Sequence, residues 1–420
     1  MRYPSTRLAV VSSLMFLVLW LGSSLLEALA SLAGRTDVTA FLSRRAWTYD
    51  LPLLGFIGLM ILGMAQHFVP MFSGRALWDG RVAMAQVLVA DAGVALTLTL
   101  PPEAEFVGLG LWALAALLFV VLILLTLRSE EIGVRPMERR PGLGRVDRLA
   151  IPMTGAAILY LLAASVGFLL AALPGDPARV TVHWFSFLHL YTLGFISLMV
   201  FGVGLHLLPR FLDAVPNRAA VRVLLVLALP SPAGVALLMP LLHSFADPLR
   251  PLFVLVASME ALAALLFSAL VGVLWWTSGK RRPAASFHVL AGLWLSLGVA
   301  LGVAFGVDPV ATLGWAPAHG WVNLLGFAGF SILGVLAEVL PPYAARGPAA
   351  IRRATRAHQV LGTLGLLLVL AGIDAAVRGT PGVAGILSVL GFAGLLAVAG
   401  SVAAGTLGTL LGIRTGRPAL

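Results

Sequence analysis

The chain has 420 residues, is 60% hydrophobic and only 11% charged, and has a mean hydropathy of +1.00, too little polar surface to cover a water-soluble globule of this size. It contains no cysteine, which excludes disulfides, iron–sulfur ligation, covalent c-type heme attachment and thiolate metal sites. The net charge of +10 lies mainly in the connectors between apolar runs, a topology pattern that gives no reason to invoke nucleic acid.

Twelve apolar runs follow one another, roughly at residues 8–30, 48–70, 83–101, 106–127, 149–173, 184–208, 223–243, 251–276, 286–307, 319–340, 357–377 and 383–412. The first ends in a cleavage-like Ala28-Leu29-Ala30, but its core from Leu8 to Leu26 is too long for a signal peptide and is read as a retained helix. With the N-terminus inside, 22 of the 28 Lys and Arg fall on inner segments, leaving Arg35, Arg44, Arg45, Arg179, Arg250 and Arg378 outside. This asymmetry predicts twelve spans with both termini cytoplasmic, in the inner (cytoplasmic) membrane of the cell with the lipid bilayer as partner.

An internal repeat organises these runs. Leu54-Gly55-Phe56, Leu193-Gly194-Phe195 and Leu325-Gly326-Phe327 are offset by 139 and 132 residues. Counting from each central glycine, position +8 is Gly63, Gly202 and Gly334, position +12 is His67, His206 and Glu338, and position +15 is Pro70, Pro209 and Pro341. The chain therefore divides into three pseudo-repeats of four helices, residues 1–140, 141–280 and 281–420, with the motif on the second helix of each. The boundaries fall in the basic connectors, Arg128 to Arg148 and Ser278 to Pro283, which read as topology signals and headgroup contacts.

At about 100° per residue the two glycines, the +12 residue and the proline share one helix face. Small residues there allow close approach of a second helix or a flat ligand. The proline is expected to mark the cytoplasmic stop of the helix. His67, His206 and Glu338 thus lie near the inner interface on equivalent faces, either as metal or heme ligands or as a polar cap on packed helices.

The outer ends of the motif helices differ between copies. Position −7 is Thr48, Phe187 and His319, and position −5 is Asp50, His189 and Trp321. The sixth run also carries His183 and Tyr191. Histidines at such depth are functional candidates by default, against the alternative of imidazoles bonded to backbone or water at a helix entrance. Asp91 and Glu260 sit within the third and eighth runs, as proton-relay candidates or as hydrogen-bonded packing residues. His288 and His358 begin odd runs beside arginines and read as interfacial, as do Glu27 and Asp374 at the other face. Tryptophans near run ends form an aromatic belt.

Twelve spans in three repeats of four, with histidines on spans two, six and ten, resemble subunit I of the heme-copper oxidase superfamily. Ala318-His319-Gly320-Trp321 followed by Asn323-Leu324-Leu325-Gly326-Phe327 is similar to the span-ten motif of that family in its nitric oxide reductase version, with His319 at the first histidine and Trp321 where the second belongs. His189-Leu190-Tyr191-Thr192-Leu193-Gly194-Phe195 and His206-Leu207-Leu208-Pro209-Arg210-Phe211 also resemble divergent NnrS-type membrane proteins of the nitric oxide response.

The resemblance implies a heme, of b type, on His319, with His189 across the site as second ligand, distal donor or copper ligand and His183 nearby. It also implies interaction with nitric oxide or oxygen and an external electron donor or respiratory complex as partner. The departures are equally specific. Asp50 and Trp321 replace the two low-spin heme histidines, the seventh run lacks the His-His pair, with only His243 at its end, and Tyr191 is two residues after His189 instead of four. A complete proton-pumping oxidase site is not expected. An alternative from a different class is a transporter or structural scaffold with His67, His206 and Glu338 as an inner gate. Three copies in one orientation favour the oxidase-like reading over the paired, often inverted repeats of transporters.

Overall fold

A computed structural model describes residues 3–132, 142–173, 177–241, 248–280, 282–340 and 348–410. His243 and Pro341 lie outside the described residues, as does the middle of the first basic connector. Among the described residues, twelve helices are long and apolar enough to cross a bilayer: Pro4–Leu32, Thr36–Ser73, Gly80–Thr99, Pro102–Arg128, Leu143–Ala172, His183–Leu212, Arg218–Leu241, Arg250–Thr277, Pro283–Val307, Leu313–Val339, Ile351–Val377 and Pro381–Leu410. They are numbered here as spans 1 to 12 in that order.

Burial separates the motif spans from the rest. In spans 2, 6 and 10 the most apolar windows are 83%, 61% and 67% buried, whereas no other span exceeds 56%. The remaining spans present Leu, Val and Ile outward, as a lipid-facing surface requires: Leu124, Ile151, Val226 and Leu390 are among the exposed apolar residues. Span 4 packs on span 5, span 8 on span 9 and span 12 on span 1, so the helices close into a ring around the three motif spans.

The glycine faces explain how each motif span is held. A methyl group on Gly55, Gly194 or Gly326 would come within 2.9, 2.6 or 2.7 Å of an aromatic ring carbon, of Phe16, Tyr160 and Trp294 respectively. Those aromatics occupy the preceding span in each case. One level further along, Gly63 meets Ala9, Gly202 meets Thr154 and Gly334 meets Phe287, again on the preceding span. Each motif span is therefore clamped at two heights by its neighbour, and small residues are what allow the axes so close.

Around the tripeptides the helices are π-helical, over Ala46–Gly58, Leu190–Ser197 and Val322–Gly329. Such wide turns are rare and concentrate at functional positions. In span 2 a local cause is visible: Pro52 lies inside the segment and supplies no backbone donor. At the other end, Pro70 and Pro209 do not terminate their helices as the sequence suggests. The chain runs to Ser73 and Leu212 and then turns through left-handed residues, Gly74 (φ 72°) and Asp213 (φ 56°). The amides of Gly74 and Ala214 close onto the carbonyls of Pro70 and Pro209, so the last turn is capped and needs no earlier stop.

Span 7 reads as one run but is broken at its middle into helices Arg218–Ala228 and Ser231–Leu238. Pro230 and Pro232 remove two backbone donors there. The Tyr160 hydroxyl donates to the Leu229 carbonyl at 2.7 Å, which satisfies an acceptor at the break.

Candidate functional site

Span 10 opens with a turn of 3-10 helix, Leu313–Trp315, continues as Ala316–Trp321 and then widens into its π-helical segment. His319 stands at that transition, facing span 9. Its Nδ1 lies 3.0 Å from the Gly298 carbonyl, and Phe305 meets the ring edge-on at 5.5 Å between centroids. Residues 298, 302 and 305 are one turn apart on a helix face. Gly302 is what exposes the Gly298 carbonyl: a methyl there would lie 3.4 Å from His319 Cε1. Asn323 donates from Nδ2 to the His319 carbonyl at 2.8 Å and lies 3.4 Å from Nδ1, fixing the backbone of the histidine one turn below it.

His189 ends the α-helical part of span 6, immediately before its π-helical segment. Its Nδ1 is 2.8 Å from the Phe185 carbonyl. A carbonyl only accepts, so in both histidines Nδ1 carries the proton and Nε2 keeps its lone pair. This is the tautomer of an imidazole prepared to ligate, with the far nitrogen anchored on the backbone. His189 and His319 are near enough for their charges to interact. The fold thus brings together two residues 130 positions apart in the sequence.

Tyr191 is not part of this pair. It is fully buried, its hydroxyl points to the Leu53 carbonyl of span 2 at 3.4 Å, and its ring packs on Phe168 and Phe195. His183 is exposed at the start of span 6.

Asp50 and Trp321, where the sequence resemblance sets two low-spin heme histidines, have partners of another kind. Trp321 stacks on Trp20 of span 1 and leans on Phe392 of span 12. Asp50 is 3% exposed and pairs with Arg45 at 3.4 Å, while Arg44 and Arg45 both reach Glu105 of span 4, at 3.1 and 2.5 Å. An aromatic stack and a buried ion-pair network occupy this part of the bundle, and neither is a heme ligand set.

The +12 residues each have partners of their own. His206 Nδ1 lies 3.0 Å from Asp147, which also receives a two-pronged contact from Arg210 at 2.9 and 2.7 Å. Glu338 accepts from the Ala284 amide at 3.4 Å and lies 3.9 Å from Arg282. His67 lies against Phe68, the rings tilted at 53° with centroids 5.6 Å apart. Among the described residues no group of three or more His, Asp or Glu is placed to hold a metal ion, so these three are not drawn into one cluster. Asp91 accepts from Ser12 of span 1 at 2.9 Å and Glu260 from Ser231 of span 7 at 2.5 Å, each bridging two spans.

Sequence reasoning missed several of these partners. Gly298 and Gly302 repeat at the four-residue spacing of a helix face, and Asn323 follows His319 by the same interval, so that signal was present. Asp147 and Glu105 lie in the flanks of other spans, and only the spatial register of the helices shows whom they meet.

The fold defines a polytopic, all-helical membrane protein with three central motif spans, two of which carry His189 and His319. A solved structure described as a cryo-EM structure of a heme-copper terminal oxidase dimer has the same fold, with a TM-score of 0.66 at 13% sequence identity. The match covers 99% of this chain and 85% of the other. No family model and no curated protein matches the sequence.

Proposed function

We propose that this protein binds one heme or metal between His319 and His189 and through it interacts with nitric oxide or oxygen, on an oxidase scaffold that lacks the complete oxidase site. The observation that carries the reading is the pair of Nδ1 contacts, to the Gly298 and Phe185 carbonyls, which leaves Nε2 of each imidazole as an acceptor. The residues fit one cofactor and do not fit a second. Asp50 is committed to Arg45, and Trp321 to Trp20.

A heme or metal bound here would supply a centre able to take a diatomic ligand. The chain's own residues do the rest. The Gly298 carbonyl and Asn323 set the orientation of His319, Phe305 gives the site an apolar wall, and His189 stands across it as second ligand or as a hydrogen-bonding partner. Without cysteine, and with an aromatic stack where a relay heme would lie, redox turnover requires electrons from an external donor. The likeness to NnrS-type proteins belongs to this reading, as does a b-type heme. Pyridine hemochrome assay and metal analysis of protein purified after heme-replete expression test it: one heme or one metal per chain is expected, and a colourless, metal-free protein contradicts it.

A further inference from the structure

Four arginines converge at one end of the bundle, on the opening turns of spans 5 and 7. Arg145 and Arg148 are three residues apart on span 5, and Arg218 and Arg222 are four apart on span 7, so the members of each pair are neighbours on their helix surface. The two spans pack together, and the segments leading into them meet: a methyl group on Gly142 would lie 3.7 Å from Val215. Arg145, Arg148 and Arg222 are all near enough to Arg218 for their charges to act on it.

The described acids nearest to them in sequence are committed elsewhere. Asp147 stands between Arg145 and Arg148 in the chain but is held by Arg210 and His206, and Asp213 pairs with Lys280 at 3.0 Å. Among the described residues none of the four arginines has a hydrogen-bond or ion-pair partner. The first amides of span 7 are also taken, since the Asn217 side chain accepts from Ala219 and Ala220 at 2.9 and 3.2 Å. The uncompensated charge is therefore that of the four side chains.

On both helices the arginine face runs on into bare aliphatic surface. Arg148 and Arg222 are exposed. Ile151 lies one turn beyond Arg148 and Leu159 three turns beyond it, and Val226 lies one turn beyond Arg222; they are 60%, 66% and 68% exposed. In membrane-crossing helices such residues face acyl chains. Four like charges held together at the edge of an apolar medium repel one another, and an anion relieves that repulsion. The neighbouring surface gives this anion a hydrocarbon body, and a headgroup with its own cation would return positive charge to the cluster. We propose that Arg145, Arg148, Arg218 and Arg222 form a binding site for one anionic phospholipid, its phosphate held by the guanidinium groups of spans 5 and 7 and its acyl chains lying along Ile151, Leu159 and Val226. Guanidinium groups suit this role because each can give a phosphate two parallel hydrogen bonds.

Native mass spectrometry of the full chain in detergent tests this by titration with phosphatidylglycerol and phosphatidylcholine of identical acyl chains. Phosphatidylglycerol is expected to bind about tenfold more tightly, the effect of a few arginines at a membrane surface. Arg218→Gln with Arg222→Gln, and separately Arg145→Gln with Arg148→Gln, should each remove most of that preference. Arg352→Gln with Arg353→Gln, an exposed pair at the same end of span 11, should leave it in place. Glycerol phosphate, which has the phosphate and no acyl chain, should not displace the lipid at millimolar concentration. Equal affinity for the two lipids would overturn the proposal, as would a preference that survives both double variants. A preference lost to the same extent in the span-11 variant would mean a diffuse basic belt with no site in it. Displacement by glycerol phosphate would assign the cluster to soluble phosphates and overturn the lipid assignment.

Discussion

Trp20 and Trp321 stack face to face, with ring centroids 4.4 Å apart and planes 3° from parallel. The two residues come from spans 1 and 10, and the stack stands where the sequence resemblance places the second heme-binding histidine of span 10. Large, flat side chains here do sterically what a flat cofactor would do: they fill a slot between helices and hold it open at a fixed width.

The stack should therefore be structural. Trp20→Ala removes a side chain that is 2% exposed and should destabilise the protein by about 3–5 kcal/mol, the cost of emptying a buried aromatic position. Denaturant titration in detergent, followed by Trp-independent far-ultraviolet circular dichroism, measures it. A loss below about 1 kcal/mol would mean that the slot collapses freely and that the stack is incidental.

The ion-pair network beside the stack should be intolerant of losing its centre. Glu105 joins two arginines, at 3.1 and 2.5 Å, with its side chain 8% exposed. Glu105→Gln should cost about 2–3 kcal/mol, less than the ~3–5 kcal/mol of a fully buried broken pair because the arginines keep partial contact with solvent. Thermal unfolding of the variant checks this, and Glu105→Asp should recover part of the loss.

Glycine contacts predict an asymmetry between neighbouring positions on span 10. A methyl at Gly326 would sit 2.7 Å from Trp294, whereas one at Gly320 meets nothing within 4 Å. Gly326→Ala should cost about 1–3 kcal/mol through overpacking, and Gly320→Ala should be near neutral. Combining Gly326→Ala with Trp294→Leu should be less damaging than the sum of the two changes, since the second makes room for the first.

Much of this arrangement is legible in the sequence. The apolar runs give the number of spans, and the repeated glycines mark spans 2, 6 and 10 as helices that a neighbour can approach closely, though not as the inner ones of the bundle. His319 and His189 stand out as imidazoles in apolar helices. What is not legible depends on register between distant helices. Nothing near Trp321 announces Trp20, and nothing near His206 announces Asp147. The π-helical turns around Leu-Gly-Phe have no sequence signal beyond Pro52 in the first copy. The break in span 7 was available in Pro230-Ser231-Pro232 and is masked by the hydropathy of its flanks.

The most direct test of the central reading is the visible spectrum of the purified protein, oxidised and dithionite-reduced, for wild type and His319→Ala, before and after addition of nitric oxide or carbon monoxide. A Soret band at about one heme per chain that is lost in His319→Ala and shifts with the added gas is the predicted result. A heme band that survives in His319→Ala would place the cofactor elsewhere. A heme-replete preparation with no Soret band and no bound metal would contradict a cofactor at this site, leaving the two histidines as backbone-anchored residues of a helical scaffold.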